Sequence, residues 1–281
     1  MEKYIKSPLN YTGGKYKLLN QILPLFPEDI NTFVDLFTGG CNVAINVNAN
    51  RIIANDLCSE VISVYEGIQN GTTEENIRMI EKTINEYSLS KENKEGYLEL
   101  RSYYNEGNKD WYIFYTLIAY AFNNQIRFNK KGEFNIPFGK DRSDFNPALK
   151  QKFRDFSDAI HNKNIKFTNY DFRKLSVDKL KENDFVYLDP PYLITDATYN
   201  MGWNEEAEKD LLSLCDRLNE KGIKFAISNV LEHNGSKNEI LIEWSKKYNI
   251  NYLNYNYSNC NYHKKDNGHK SIEVLITNYK K

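Results

Sequence analysis

Phe185-Val186-Tyr187-Leu188-Asp189-Pro190-Pro191-Tyr192 runs from four apolar residues straight into a carboxylate, two prolines and an aromatic ring. The first half has the length and composition of a buried strand. Proline has no N–H to give to a ladder, so the double proline closes that strand and fixes the backbone beyond it. In open α/β sheets ligands bind outside the carboxyl ends of the strands, and a carboxylate delivered there is placed for chemistry. Asp189, Pro190, Pro191 and Tyr192 are therefore a candidate clamp for a flat polar group. Taken alone they read equally well as the opening of a loop, because Asp and Pro are common turn residues.

Two upstream stretches favour the clamp. Phe33-Val34-Asp35-Leu36-Phe37-Thr38-Gly39-Gly40 reads as a buried strand entering a glycine turn and then a helix. Glycines let a backbone approach a ligand closely, and a following helix presents unpaired N–H groups. Arg51-Ile52-Ile53-Ala54-Asn55-Asp56 then sets an acid at a strand end about twenty residues later, the spacing at which a Rossmann-like unit bonds a ribose hydroxyl. Nearer the N-terminus, Pro8-Leu9-Asn10-Tyr11-Thr12-Gly13-Gly14-Lys15 holds a glycine pair between a ring and a cation. It is not a phosphate-binding loop, since the Gly-x-x-x-x-Gly-Lys-Ser/Thr spacing is absent. A stacking ring beside a cation suits a ligand with an aromatic base and a carboxylate, such as S-adenosylmethionine (SAM).

Hydrophobic patterning predicts strands at 33–37, 51–56, 164–168, 184–188, 223–228, 250–257 and 271–278, with helices at about 41–49, 59–69 and 147–161. The last two strands, joined by the polar and basic stretch 258–270, are expected to pair as an antiparallel hairpin at the sheet edge. Between about 73 and 122 the pattern is helical only. Residues 123–142 are rich in Asn, Gly and basic side chains and contain a candidate hairpin, 125–128 turning at 129–132 and returning through 133–136.

The 281 residues carry a formal net charge of −1 and four cysteines with no close pair, which suggests reduced thiols rather than a disulfide framework or a metal knuckle. No apolar stretch reaches the roughly 18 residues of a membrane span and the N-terminus is charged, so a cytoplasmic protein is expected. Basic residues gather at Lys3, Lys6, Lys15 and Lys17, at Arg127, Lys130, Lys131, Lys140 and Arg142, and at Lys264, Lys265, His269 and Lys270, with acidic ones elsewhere. That segregation fits a basic cleft for DNA, or simply solvated surface charge.

Tyr-Thr-Gly-Gly-Lys at 11–15, Asp-Leu-Phe-Thr-Gly-Gly at 35–40, Asn-Asp at 55–56, the Arg127–Gly139 segment and Asp-Pro-Pro-Tyr, in this order, resemble the Dam-type (D12 class, α group) DNA adenine N6-methyltransferases over nearly the whole chain. The resemblance implies an α/β SAM-dependent methyltransferase fold, Rossmann-like, with a mostly parallel sheet and a reversed edge strand. It divides the chain into a catalytic domain, 1–70 and 145–281, and an inserted helical target-recognition domain, 71–144, whose hairpin lies at about 125–136.

It also implies roles. Tyr11, Lys15, Asp35, Phe37, Gly39, Asp56, Asp171, Phe172 and Asp189 would bind SAM, Lys15 at its carboxylate, Asp56 at the ribose and Asp171 with Phe172 at the adenine. For Asp171 and Phe172 the structural alternative is a helix N-cap and a core aromatic. Asp189 to Tyr192 would act on the N6 amine of an adenine flipped out of duplex DNA. Arg127 would read a base; Asn124 and Gln125 would lie near the flip, and Lys140, Arg142, Ser228, Lys264, Lys265 and Lys270 at phosphates or nearby. No metal is implied. The partners would be double-stranded DNA and, without a stable complex, a cognate restriction endonuclease, with the chain acting as a monomer.

The chain departs from the family pattern at Tyr11, often Trp in other members, and at Cys41, where small or glycine residues are usual. Asn-Gln-Ile-Arg at 124–127 replaces the Gly-Leu pattern of GATC-reading members, which leaves the target sequence open. An RNA adenine methyltransferase, a protein glutamine methyltransferase and a non-catalytic DNA-binding relative are the alternatives.

Overall fold

Every expected strand forms. They are β1 (Thr32–Asp35), β2 (Arg51–Asn55), β3 (Ile165–Thr168), β4 (Phe185–Leu188), β5 (Lys224–His233), β7 (Asn249–Leu253) and β8 (Ser271–Thr277), joined by a two-residue β6 (Ser236–Lys237). The helices are α1 (Leu19–Ile22), α2 (Ser59–Asn70), α3 (Thr73–Glu86), α4 (Lys94–Asn105), α5 (Trp111–Tyr120), α6 (Pro147–His161), α7 (Glu205–Glu220) and α8 (Glu239–Ser245). The structure is a computed structural model that describes residues 4–195, 202–254 and 271–281. Lys264, Lys265 and Lys270, expected near DNA, and the end of the strand expected at 250–257 lie outside the described residues. Among the described residues, no helix is long and apolar enough to cross a membrane.

The chain divides into two units, one of Met1–Gly14, Gly39–Asn46 and Asp56–Asn169, the other of Lys15–Thr38, Val47–Asn55 and Tyr170–Lys281. In the second unit the strands run in the order β2-β1-β4-β5-β8-β7, with β6 against β5. Strands β2, β1, β4 and β5 pair in parallel, while β8 is antiparallel to both β5 and β7. The reversed strand was expected at the edge; it lies one place in, and β7 takes the edge. Composition explains the exchange. Val274, Leu275 and Ile276 of β8 are fully buried and need cover on both faces, whereas β7 exposes two thirds of Tyr252 and carries Asn249 and Asn251.

Alternation along the strands builds two cores. Val34, Val186, Leu188, Ile227 and Ile276 pack with Leu211, Leu214, Cys215 and Leu218 of α7 on one face. On the other, Phe33, Phe185 and Tyr187 pack around Phe26, with Phe26 and Phe185 rings 4.8 Å apart.

In the first unit α5 is apolar all round, with Ile113 to Tyr120 buried, and α2, α3 and α4 pack against it. Gly67 of α2 admits the Trp111 ring: a Cβ there would sit 2.2 Å from it. The helix expected at 41–49 is absent, and residues 42–46 form turns instead. Cys41 has φ 57°, a left-handed conformation no helix continues through. The asparagines that follow bond the N-terminal segment, Asn42 Oδ1 accepting from Ser7 N at 3.1 Å and Asn46 Oδ1 from Ile5 N at 2.8 Å.

The expected hairpin turns where its residues say it should. Gly132 takes φ 77°, and Asn129 Oδ1 accepts from the N–H groups of Lys131 and Glu133. Its arms meet at a single antiparallel bridge, Phe128 to Phe134, without regular strands. Side chains of α4 supply the missing ladder: Asn105 exchanges two hydrogen bonds with Phe134, and Tyr97 and Arg101 donate to Ile136 O. Positions 97, 101 and 105 share one helix face by their spacing of four.

Candidate active site

In the second unit the chain passes from β1 to β2 on one side and returns as β4 on the other, so the strand order reverses between β1 and β4. Ligands bind at such a switch point. Asp35 ends β1 and Asp189 follows β4 directly, while Leu36 N donates to Tyr187 O at 3.1 Å across the gap. Asp35 is 1% exposed and accepts a hydrogen bond from the Thr38 hydroxyl.

Asp189 does not stand alone. Lys15 Nζ lies 2.8 Å from its Oδ1 and 3.8 Å from Glu273 Oε1. The Tyr192 hydroxyl is 3.3 Å from both of those oxygens, and the ammonium sits over the Tyr192 ring, 5.1 Å from its centroid. Lys15 is 4% exposed, so it belongs to this cluster and not to a basic surface. Burial raises the Asp189 carboxyl above the usual carboxylate range, opposed by Lys15 and Tyr192. Glu273 is raised as well, by burial first and by Asp189, against Lys15. Sequence reasoning missed Glu273. Its signal is a lone acid in the apolar run Ile272 to Ile276.

Phe37 and Phe172 meet with ring centroids 5.5 Å apart, and Trp203 closes the group at 5.8 and 5.7 Å. Asp171 caps the 3-10 turn Phe172–Lys174 by accepting from Arg173 N, and its other oxygen pairs with the Arg173 guanidinium. Phe172 is 5% exposed, so both residues also fill the roles of the structural alternative. Trp203 is held by a second missed residue: its indole N–H donates to Glu208, which is fully buried on α7 and also accepts from Asn229 and Asn238. Burial raises the Glu208 carboxyl. The spacing 208, 211, 215, 218 puts this acid on the apolar stripe of its helix, which is the pattern that reveals it.

Ser228, expected near DNA, is fully buried in β5, with its hydroxyl 2.8 Å from that of Tyr187. It has no surface to offer a phosphate, so that expectation is corrected.

In the first unit Asp56 organises the glycine turn. Its Oδ2 accepts from Gly39 N at 2.8 Å and its Oδ1 from Cys58 N at 2.9 Å. Burial nevertheless raises its carboxyl, opposed by these backbone bonds. Gly39 has φ 45°, and a Cβ on it would meet the Tyr11 ring at 2.9 Å, so the turn needs glycine twice over. Leu57, next to Asp56, leaves 71% of its surface open.

The recognition residues of this unit divide. Arg127, Gln125, Lys140 and Arg142 are exposed. Arg127 is oriented by Asn135, whose side-chain and backbone oxygens take its Nε and a terminal nitrogen. Asn124 spends its amide N–H groups on Ile118 O and Ala119 O, closing the end of α5. Among the described residues there is no group of three or more His, Cys, Asp or Glu arranged to hold a metal ion.

The chain is 54% identical over 282 residues to the type II methyltransferase M.FokI of Planomicrobium okeanokoites, covering 98% of this chain and 43% of that protein. It is 46% identical over 286 residues to the modification methylase StsI of Streptococcus sanguinis, again 43% of that protein and 99% of this one. The type II methyltransferase M1.LlaDCHI of Lactococcus lactis subsp. cremoris is 30% identical over 96% of this chain and 94% of its own. This chain thus spans less than half the length of the first two relatives. The family model for D12 class N6 adenine-specific DNA methyltransferases matches residues 11–265, and the chain belongs to that family.

Proposed function

We propose that this chain transfers a methyl group from SAM to the N6 amine of an adenine flipped out of duplex DNA. The observation that carries the reading is Asp189 at the β1/β4 switch point, half-buried, charge-paired with Lys15 and followed by two prolines and Tyr192. When bound, SAM supplies an electrophilic methyl on a sulfonium. The residues present suit it: in the second unit Phe37, Phe172 and Trp203 offer an aromatic wall for a purine, with Asp171 beside them as acceptor. In the first unit Asp56, which accepts backbone N–H groups from Gly39, Leu57 and Cys58, has acceptor capacity left for a ribose hydroxyl. Tyr11 and Gly39 of the first unit and Asp35 of the second are assigned to SAM by the family pattern alone. Lys15 we assign to Asp189 rather than to the SAM carboxylate.

The amine of adenine is a poor nucleophile because its lone pair is delocalised into the ring. Asp189 accepts a hydrogen bond from one N–H and the Pro190 carbonyl from the other, drawing the nitrogen toward a tetrahedral shape. The prolines hold that carbonyl in place, an instance of electrostatic preorganisation around charge that develops on nitrogen. Lys15 covers one face of the Tyr192 ring, so the base stacks on the other, which helps to offset the few kcal/mol of flipping. Arg127, Gln125, Lys140 and Arg142 are the DNA contacts assigned to the described surface, Arg127 to a base edge and the lysine and Arg142 to phosphates. The relatives M.FokI and StsI are named as a type II methyltransferase and a modification methylase, and we place this chain in the same setting, as a monomer beside a cognate endonuclease without stable complex.

The test is transfer of labelled methyl from SAM to duplex DNA, single-stranded DNA, RNA and protein in parallel. Label recovered from DNA as N6-methyladenine is the expected result. Label in RNA or protein alone would overturn the reading.

A further inference from the structure

We infer that Glu273 is a positioning residue for the methyl transfer, one that keeps the Asp189–Lys15 pair net negative; the inference rests on the function proposed above. An aspartate and a lysine at 2.8 Å cancel each other's charge. A clamp so neutralised is a weak acceptor, and it offers little to a nitrogen that becomes cationic as it takes the methyl group. Glu273, 7% exposed and 3.8 Å from the same ammonium, changes the sum from zero to −1 within one buried cluster. Through Lys15 it draws positive charge off Asp189. Through the Tyr192 hydroxyl, 3.3 Å from both carboxylates, it ties the stacking ring to the acceptor that the amine must reach.

The Lys15 ion pair and the Tyr192 contact both reach Asp189 Oδ1, and Oδ2 is the oxygen we assign to the incoming N–H. The groups around Asp189 are Lys15 from the 3-10 turn that precedes α1, Tyr187 on β4, Tyr192 beyond it, Asp35 at the end of β1 and Glu273 on β8. Of these, Glu273 is the anion that shares both the cation and the hydroxyl.

Glu273→Gln removes the charge and retains the shape and an oxygen to meet the Tyr192 hydroxyl. Single-turnover methyl transfer from SAM to duplex genomic DNA lacking adenine methylation should slow by about 100-fold, with the Kd for SAM within about threefold. The acid limb of the rate profile should move to lower pH, because Lys15 then acts on Asp189 without a competing anion. The melting temperature should hold or rise, since a neutral amide is less costly to bury than a carboxylate, and Glu273→Asp should recover part of the rate. A neutral variant as fast as wild type overturns the inference, as does one whose rate loss is matched by lost SAM affinity or a lower melting temperature. Wild-type enzyme that methylates no DNA would instead sink the function on which the inference rests.

Discussion

At the scale of single residues, the legible ones are those that break a pattern where a strand ends. Asp189 and Tyr192 flank two prolines after an apolar run, and Asp56 follows a strand, so each declares itself. Glu273 and Glu208 lie inside an apolar strand and an apolar helical stripe, where one acid is read as an exposed turn of the pattern unless burial is known. Asp189→Ala should abolish transfer while SAM affinity stays within about tenfold, some 1.4 kcal/mol, in an equilibrium binding titration; a collapse of SAM binding would make Asp189 a cofactor ligand first. Glu208→Gln should behave differently. It puts an N–H where Asn229, Asn238 and Trp203 already donate, leaving buried donors opposed, and should lower stability by about 1–3 kcal/mol. Denaturant unfolding with intrinsic tryptophan fluorescence would read both the stability and the release of Trp203; an unchanged midpoint would refute the anchoring role.

Elements were recovered to the extent that their signals are local. The strands and α6 follow from apolar patterning, and the structure adds to α6 a local cap, Asn146 accepting from Leu149 N with Pro147 at the first position. The helix expected at 41–49 failed because its asparagines serve Ile5 and Ser7, residues distant in sequence. The hairpin succeeded at its turn and failed as a regular ladder for a related reason: its second arm is held by the face of α4 as well as by its own first arm. That dependence gives a paired test. Arg127→Ala should relax base preference on a substituted-site DNA library, with SAM binding unchanged. Asn105→Ala, at a residue assigned no base contact, should produce a milder form of the same relaxation, since it frees both the N–H and the carbonyl of Phe134. A selective loss for Arg127→Ala with none for Asn105→Ala would show that the arms hold themselves.

For the molecule as a whole, neither unit is one continuous piece of chain; each collects three segments. The sequence expected a cut at 71 and 144, the limits of the insert, and patterning alone offers no means of knowing that the turns at 39–46 and the N-terminal segment cluster with that insert while Lys15 onward clusters with the sheet. Near-neutral net charge has a consequence at this scale too. With Arg127, Lys130, Lys131, Lys140 and Arg142 exposed and Lys15 withdrawn from solvent, affinity for duplex DNA should weaken as salt rises, with a slope of about one per phosphate engaged. Filter-binding at a series of salt concentrations measures that slope.

The placement of β8 between β5 and β7 also sets a clock. β1, β4 and β5 all precede β8 in the chain and pair with one another in parallel. The slot beside β5 is filled only when β8 arrives, carrying Glu273 to a lysine far upstream in sequence. Closing so long a loop is slow and late. A chain in which β8 has not yet inserted therefore holds its Asp-Pro-Pro-Tyr motif without Glu273 beside Lys15, and the cluster is completed in one event when β8 enters its slot.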